Sequence, residues 1–331
     1  MPKSILSAAL CLLFAPAAGL AQSNTGESLF FSPDGKYFAA NFNGNINLGT
    51  IKDSERKFTK AFNVARESEG NIYSFFGFTP DSRRLAVSYD AKNELRFFSL
   101  NGELKSALPA RPLVNISPGF KWAVERPALG HAGKHNLSRI TDEGVIAKFS
   151  LPDGFQWSDF SPDGKLLAFV YKQEDKKSGA ASHILKVMET KTGKYLRQYV
   201  VKYENYSGIS AVSFSPNGKM LGYAVGDKVT VVNTATWETS SFVSSDGATS
   251  GSLAFSRNGA YLAVNYSGAS VRIYSLPGYR VVVNRKMDGE NAWYVDDLVF
   301  SRDSSFLGLL GSRSAADEAG YSVRFIDLPK K

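Results

Sequence analysis

The chain of 331 residues is almost without cysteine, and its single one is Cys11. That scarcity excludes a disulfide framework, thiol catalysis and the Cys-x-x-Cys-His motif of covalent haem attachment. Leu10, not a small residue, precedes Cys11, so the lipoprotein cleavage pattern is also missing. There is no Gly-x-Ser-x-Gly nucleophile elbow, no phosphate-binding P-loop and no dinucleotide fingerprint. The four tryptophans stand at unrelated positions, unlike the docking motif of quinoprotein propellers. No cofactor is expected. Beyond the N-terminus no run of eighteen apolar residues occurs, so nothing there reaches the length of a membrane-spanning helix. Helix-period patterns are missing as well.

Charge is present but not concentrated. The formal net charge is +8, with lysines and arginines scattered one or two at a time. This pattern predicts a solvated surface rather than a nucleic-acid or lipid-binding patch. The N-terminus is distinct. "MPKSILSAALCLLFAPAAGLAQ" has one cation at Lys3, an apolar stretch over 5–14, and small residues Gly19 and Ala21 where a signal peptidase reads. Residues 1–21 are therefore predicted to be a signal peptide cut after Ala21, leaving a mature domain over 22–331. An exported chain left with no cysteine fits a bacterial periplasm, and the expected location is periplasmic or secreted.

The body of the chain repeats one short phrase. "FFSPDGKYFAA", "FTPDSRRLAV", "ISPGFKWAV", "FSPDGKLLAF", "FSPNGKMLGY", "FSRNGAYLAV" and "FSRDSSFLGL" align on Phe31, Phe78, Ile116, Phe160, Phe214, Phe255 and Phe300. Their spacing of about 45 residues, with several short strands per unit, is that of a propeller blade. Period-2 runs such as "KLLAFVY", "SVRIYSL" and "YRVVVNRKM" supply the strands, four to a unit. In each turn Pro presets φ, Asp bonds back to the backbone, and Gly takes the left-handed conformation. The flanking Phe is expected to fill the wedge between blades. The predicted fold is all-β, a seven-bladed propeller of four-stranded antiparallel blades. The last unit stops after three strands and "QSNTGES" (22–28) is short and polar, so the seventh blade is expected to have three.

These units resemble the WD40-like, Pro-Asp-Gly propeller repeats of bacterial exported proteins, over nearly the whole mature chain. Two departures stand out. No α/β domain is expected ahead of the propeller, and the Gly-His and Trp-Asp pairs of eukaryotic WD repeats do not recur from unit to unit.

Propellers gather their sites at the channel mouth. The segments entering the innermost strands bring Tyr73, Trp157, Tyr206, Trp293 and Tyr294 towards one rim. Aromatic rings flanked by polar groups suit a peptide or glycan, and equally they suit packing between blades. Asp159, Asp296 and Asp297 fall in inner strands, where they could converge on the channel or satisfy backbone donors. His131, His135 and His183 are candidate metal ligands if the backbone aligns them, and otherwise loop histidines. Two long loops, 172–183 and 312–321, offer contact surface. The function that follows is a monomeric, exported, non-catalytic module or scaffold binding an envelope or extracellular protein. It has no nucleic-acid partner, and no membrane span after signal cleavage. The reading from another class is a hydrolase or lactonase with its site at the channel mouth, which would need convergent ionisable groups there.

Overall fold

Seven sheets follow one another along the chain in the computed structural model, which describes residues 28–42, 45–52, 55–63, 73–127, 133–202, 208–267, 269–287, 293–313 and 321–329. The expected signal peptide, His131 and Tyr206 lie outside these residues. The blades occupy 28–63, 73–109, 113–150, 155–202, 209–243, 250–286 and 293–327, and in each the strands pair antiparallel in sequence order. Six blades have four strands. The seventh has three, Trp293–Phe300, Phe306–Arg313 and Tyr321–Asp327. This is the seven-bladed propeller that the repeat predicts, three-stranded last blade included. One short 3-10 turn, Asp90–Lys92, is the only helical element among the described residues.

Hydrophobic packing explains why the blades close on one another. A blade is a sheet with both faces covered by neighbours, so its middle strands are apolar throughout; Tyr261–Tyr266 is buried at every position. The outermost strands reach solvent, and Arg280–Lys286 is exposed at all but one position. The apolar residues fall into seven clusters, one in each wedge between neighbouring blades. The repeated aromatic anchors sit in these wedges. Phe160 joins Val124 and Leu137 of the preceding blade, and Phe214 joins Ala168 and Val170. Full burial of one such ring contributes about 1.5–3 kcal/mol. Six of the seven anchors are buried; Phe31 is half-buried and meets Phe306 edge-on.

The turn after each inner strand is held by its serine as much as by its Asp-Gly step. Ser161 donates its hydroxyl proton to Asp163 at 2.8 Å and accepts the Leu166 N–H at 2.9 Å. Asp163 also accepts the Lys165 N–H at 3.0 Å. The same three bonds recur at Ser32, Thr79, Ser215, Ser256 and Ser301. Gly164 has φ +68°, and where glycine is missing Ser82, Phe120 and Ser304 take the same left-handed conformation at +60°, +53° and +58°. Two of these replacements gain a bond to the preceding blade. Ser82 accepts the Asp34 N–H at 3.0 Å and Ser304 the Asn258 N–H at 3.2 Å. The seven turns thus lie on one end of the ring, the turn face. The segments entering the inner strands lie on the other, the rim face.

The 172–183 segment differs from expectation. It is an extension of two paired strands, with Lys172, Gln173 and Glu174 opposite His183, Ser182 and Ala181. Only 175–180 forms a loop, closed by the Asp175 N–H to Ala180 at 2.9 Å and by the Asp175 carboxylate on the N–H groups of Lys177 and Ser178. Lys, Gln and Glu dilute the apolar alternation there, which hides the strands from a period search. The other expected loop is described only at its ends, to Arg313 and from Tyr321.

Candidate binding surfaces

The inner strands place the candidate residues of the rim. Trp157 of the fourth blade is half-buried in the wedge shared with the fifth, and its indole N–H donates to the Ile209 carbonyl at 3.1 Å. Tyr294 is 51% exposed at the start of the seventh inner strand. Its neighbour Trp293 pairs with Arg313, and Tyr73 pairs with Tyr89 at the head of the second blade. The side chains of Trp293 and Tyr73, like all of Tyr206, lie outside the described residues.

The inner-strand carboxyls do not converge. Asp159 accepts the Phe214 N–H at 2.6 Å in the seam between blades four and five. Asp297 accepts the Leu29 N–H at 3.0 Å in the seam between blades seven and one. Both are almost fully buried, and burial pushes each up to about 8, against the backbone N–H groups that favour the charged form. Asp296 stands at a register shift in its strand and raises Asp297 further through its charge. Asp159 and Asp297 tie blade to blade.

The described histidines also lie in different seams. His135 stacks on Phe155 with ring centroids 4.4 Å apart, and burial, then Arg126 and Arg111, lower it to about 4. His183 accepts the Ile209 N–H on Nδ1 at 2.7 Å, in the next seam round the ring. Among the described residues no three His, Cys, Asp or Glu side chains group as metal ligands.

A different feature was not found from the sequence. On the turn face a cleft of 1210 Å³ opens between the third and fourth blades. Its third-blade wall carries Lys121, Trp122, Arg139, Ile140, Lys148 and Phe149; its fourth-blade side is the turn 161–166 with Glu189 to Thr192, and it extends to Asn217 and Gly218 of the fifth-blade turn. The fourth-blade wall is braced, since the Thr190 hydroxyl donates to the Gly164 carbonyl at 2.7 Å. Gly193, at φ +73°, lies against Phe149, where a Cβ would come within 2.7 Å of the ring. Five cations, Lys121, Arg139, Lys148, Lys165 and Lys191, face two acids, Asp163 and Glu189. Both acids are engaged: Asp163 with Ser161 and Lys165, Glu189 with the Thr192 hydroxyl at 2.7 Å. Burial opposes the Asp163 charge, but bonds from the Lys165 N–H and the Ser161 hydroxyl, and the Lys165 ammonium, hold it below its ordinary value.

One sequence signal does point to this cleft. In the fourth blade Lys165 pairs with Asp163 at 3.0 Å. The third-blade turn, "ISPGFK", aligns Lys121 with Lys165 but has Gly119 where the acid belongs. The most divergent copy of the repeat thus leaves its lysine without an acid in the turn, as does the fifth-blade copy, where Asn217 precedes Lys219.

Comparison with solved structures agrees with this architecture. The C-terminal WD40 domain of Sif2 matches over 96% of this chain and 99% of its own, with a TM-score of 0.61 at 14% identity. The β-propeller domain of Myceliophteria thermophila Cps50 (Swd1) matches over 94% and 100%, with a TM-score of 0.67 at 12% identity. The fold is a WD40-like propeller. No protein-family model matches the chain, and no curated protein matches it either. Among the described residues no helix is long and apolar enough to cross a membrane.

Proposed function

We propose that this WD40-like propeller is an exported, non-catalytic module that binds another protein of the cell envelope or its surroundings. The observation that carries the binding role is the cleft between the third and fourth blades, whose fourth-blade wall is braced by a hydrogen bond while its cations face solvent. Preorganised walls spare a binding partner the entropy of ordering the site. The fold alone is analogy and carries less. Export rests on the signal-like N-terminus, and a bacterial periplasm on the lack of cysteine beyond it. Asp159 and Asp297, the carboxyls best placed for acid-base work in the channel, are instead bonded into separate seams, which favours binding over hydrolysis.

Site-specific photo-crosslinking in the intact cell tests this. A crosslinking residue at Arg139, in the cleft, should trap a discrete protein adduct, and one at Arg280, on the exposed strand of blade six, should not. Equal adducts from both positions, or none from Arg139, Lys148 or Lys191, would sink the proposal.

A further inference from the structure

Resting on that binding role, we infer that the cleft between blades three and four takes an extended, acidic segment of the partner protein, one that carries an apolar side chain among its carboxylates. The argument begins with charge. Of the seven charged residues lining the cleft, five are cations and two are acids; Asp163 pairs with Lys165 and Glu189 accepts the Thr192 hydroxyl, so positive charge is in excess. Lys121, Arg139, Lys148 and Lys191 are exposed and have no ion pair among the described residues. A concave site lined by one sign of charge concentrates ligands of the other sign and speeds their capture.

Shape narrows the class. The cleft is about half open to solvent, whereas a small-molecule pocket buries most of its ligand's surface. Trp122, Ile140 and Phe149, all half-buried, line the same cleft as the cations. A ligand that uses both features needs carboxylates together with an apolar group. A peptide supplies both along one extended strand, where successive side chains point to opposite sides. A nucleic acid offers an unbroken row of phosphates, with no apolar side chain set among them for Trp122, Ile140 and Phe149. A membrane presents a plane that a recess between two blades does not meet.

The blade-three turn fits the same reading. Phe120 holds φ +53°, a conformation uncommon for a bulky residue, and its ring packs 6.0 Å from Phe97 in the wedge behind. Gly119 has open space where a Cβ would point. The acid that would neutralise Lys121 is thus absent although there is room for it.

The test uses the mature protein and a fluorescein-labelled, end-capped twelve-residue peptide of Glu, Asp and Gly with one central Leu. Anisotropy should show saturable binding that weakens as salt is raised. The pair Arg139→Glu and Lys148→Glu should weaken it about fivefold or more, matching the loss of an energetically important contact. The pair Arg280→Glu and Arg285→Glu, on the exposed strand of blade six, should leave it unchanged. Replacing the central Leu by Gly should also weaken binding. All four substituted positions are exposed, so melting curves should coincide with the parent. Absence of binding overturns the inference, as does an equal loss from both variant pairs. So does duplex DNA, or vesicles of anionic phospholipid, binding with the same dependence on Arg139 and Lys148. If the peptide fails while Arg139 still crosslinks to a protein in cells, the acidic segment is wrong and the binding role stands. If both fail, both are wrong.

Discussion

Asp297 in the seventh blade accepts a hydrogen bond from the backbone N–H of Leu29 in the first, 3.0 Å away and 268 positions distant in sequence. The other oxygen of the same carboxyl accepts the Leu298 N–H at 2.8 Å. This side chain joins the two ends of the described chain at the innermost strands, beside the apolar wedge of Leu29, Phe38, Val299 and Leu310. Asp297→Ala leaves two buried N–H groups without an acceptor, at about 1–3 kcal/mol each. The expected result is a stability loss of about 2–4 kcal/mol by urea unfolding, with faster amide exchange in Ser28–Phe31. An unchanged midpoint would show that the wedge closes the ring unaided.

Stability should fall as the solution is made more alkaline. Asp159 and Asp297 are raised to about 8 in the fold, against 3.8 as the ordinary value. Between those limits the folded state holds protons that the unfolded chain has released, so stability declines with rising pH, by about 1.4 kcal/mol per pH unit for each carboxyl held protonated. His135 and His183 act oppositely: both are lowered, so the unfolded chain binds more protons below about 6.5 and stability rises with pH there. Above 6.5 the carboxyls act without them. The melting temperature should therefore drop from pH 6.5 to 8, and the Asp159→Asn, Asp297→Asn double variant should flatten that slope. An equally steep slope in the variant would place the titration elsewhere.

Ser82 separates backbone strain from hydrogen bonding. Its φ of +60° favours glycine, yet its hydroxyl accepts the Asp34 N–H of the neighbouring blade. Ser82→Ala keeps the strained backbone and removes the bond, a loss of about 1–3 kcal/mol. Ser82→Gly removes the bond but relieves strain of roughly 1–2 kcal/mol. The glycine variant should therefore unfold at higher urea than the alanine variant. The reverse order would mean that the left-handed backbone at Ser82 stores no strain for glycine to relieve, while the bond itself is read from the alanine variant against the parent.

What could be seen in the sequence was whatever repeats locally. The anchors from Phe31 to Phe300 mark seven turns, and each turn is closed by residues within five positions of its serine, so a linear search finds them. The cleft was not visible in this way. It joins Lys121 and Arg139 to Lys191 across two blades, and only the stacking of blades brings them together. The fate of Asp159 was hidden for the same reason, because its bonding partner Phe214 lies 55 positions away in the next blade. Gly119 in place of the turn acid was legible as a departure from the repeat, but its consequence for Lys121 needed the neighbouring wall.

The proposed export makes a chemical prediction that needs no partner. Protein purified from its own cell should begin at Gln22, have lost Lys3 and carry no lipid, and it should leave with the periplasmic or extracellular fraction. N-terminal sequencing and intact mass decide it. An intact Lys3 or an acylated Cys11 would reverse the assignment of residues 1–21.

The rim aromatics should divide by position. Trp157 fills the wedge between blades four and five and donates its indole N–H to Ile209, so Trp157→Ala removes both packing and a bond. Truncation of a core aromatic costs about 3–5 kcal/mol. Tyr294, half exposed, should change stability by only about 0.5 kcal/mol on replacement by alanine. Tyr294 opens its inner strand and so lies on the rim face, whereas the cleft lies beside the turns at the other end of the blades. Tyr294→Ala should therefore leave acidic-peptide binding intact. If it instead weakened that binding while melting normally, the peptide would be contacting the rim, and the two ends of the ring would have to be reassigned. If Trp157→Ala melted with the parent, its indole would be free of the wedge and available to a ligand at the channel mouth.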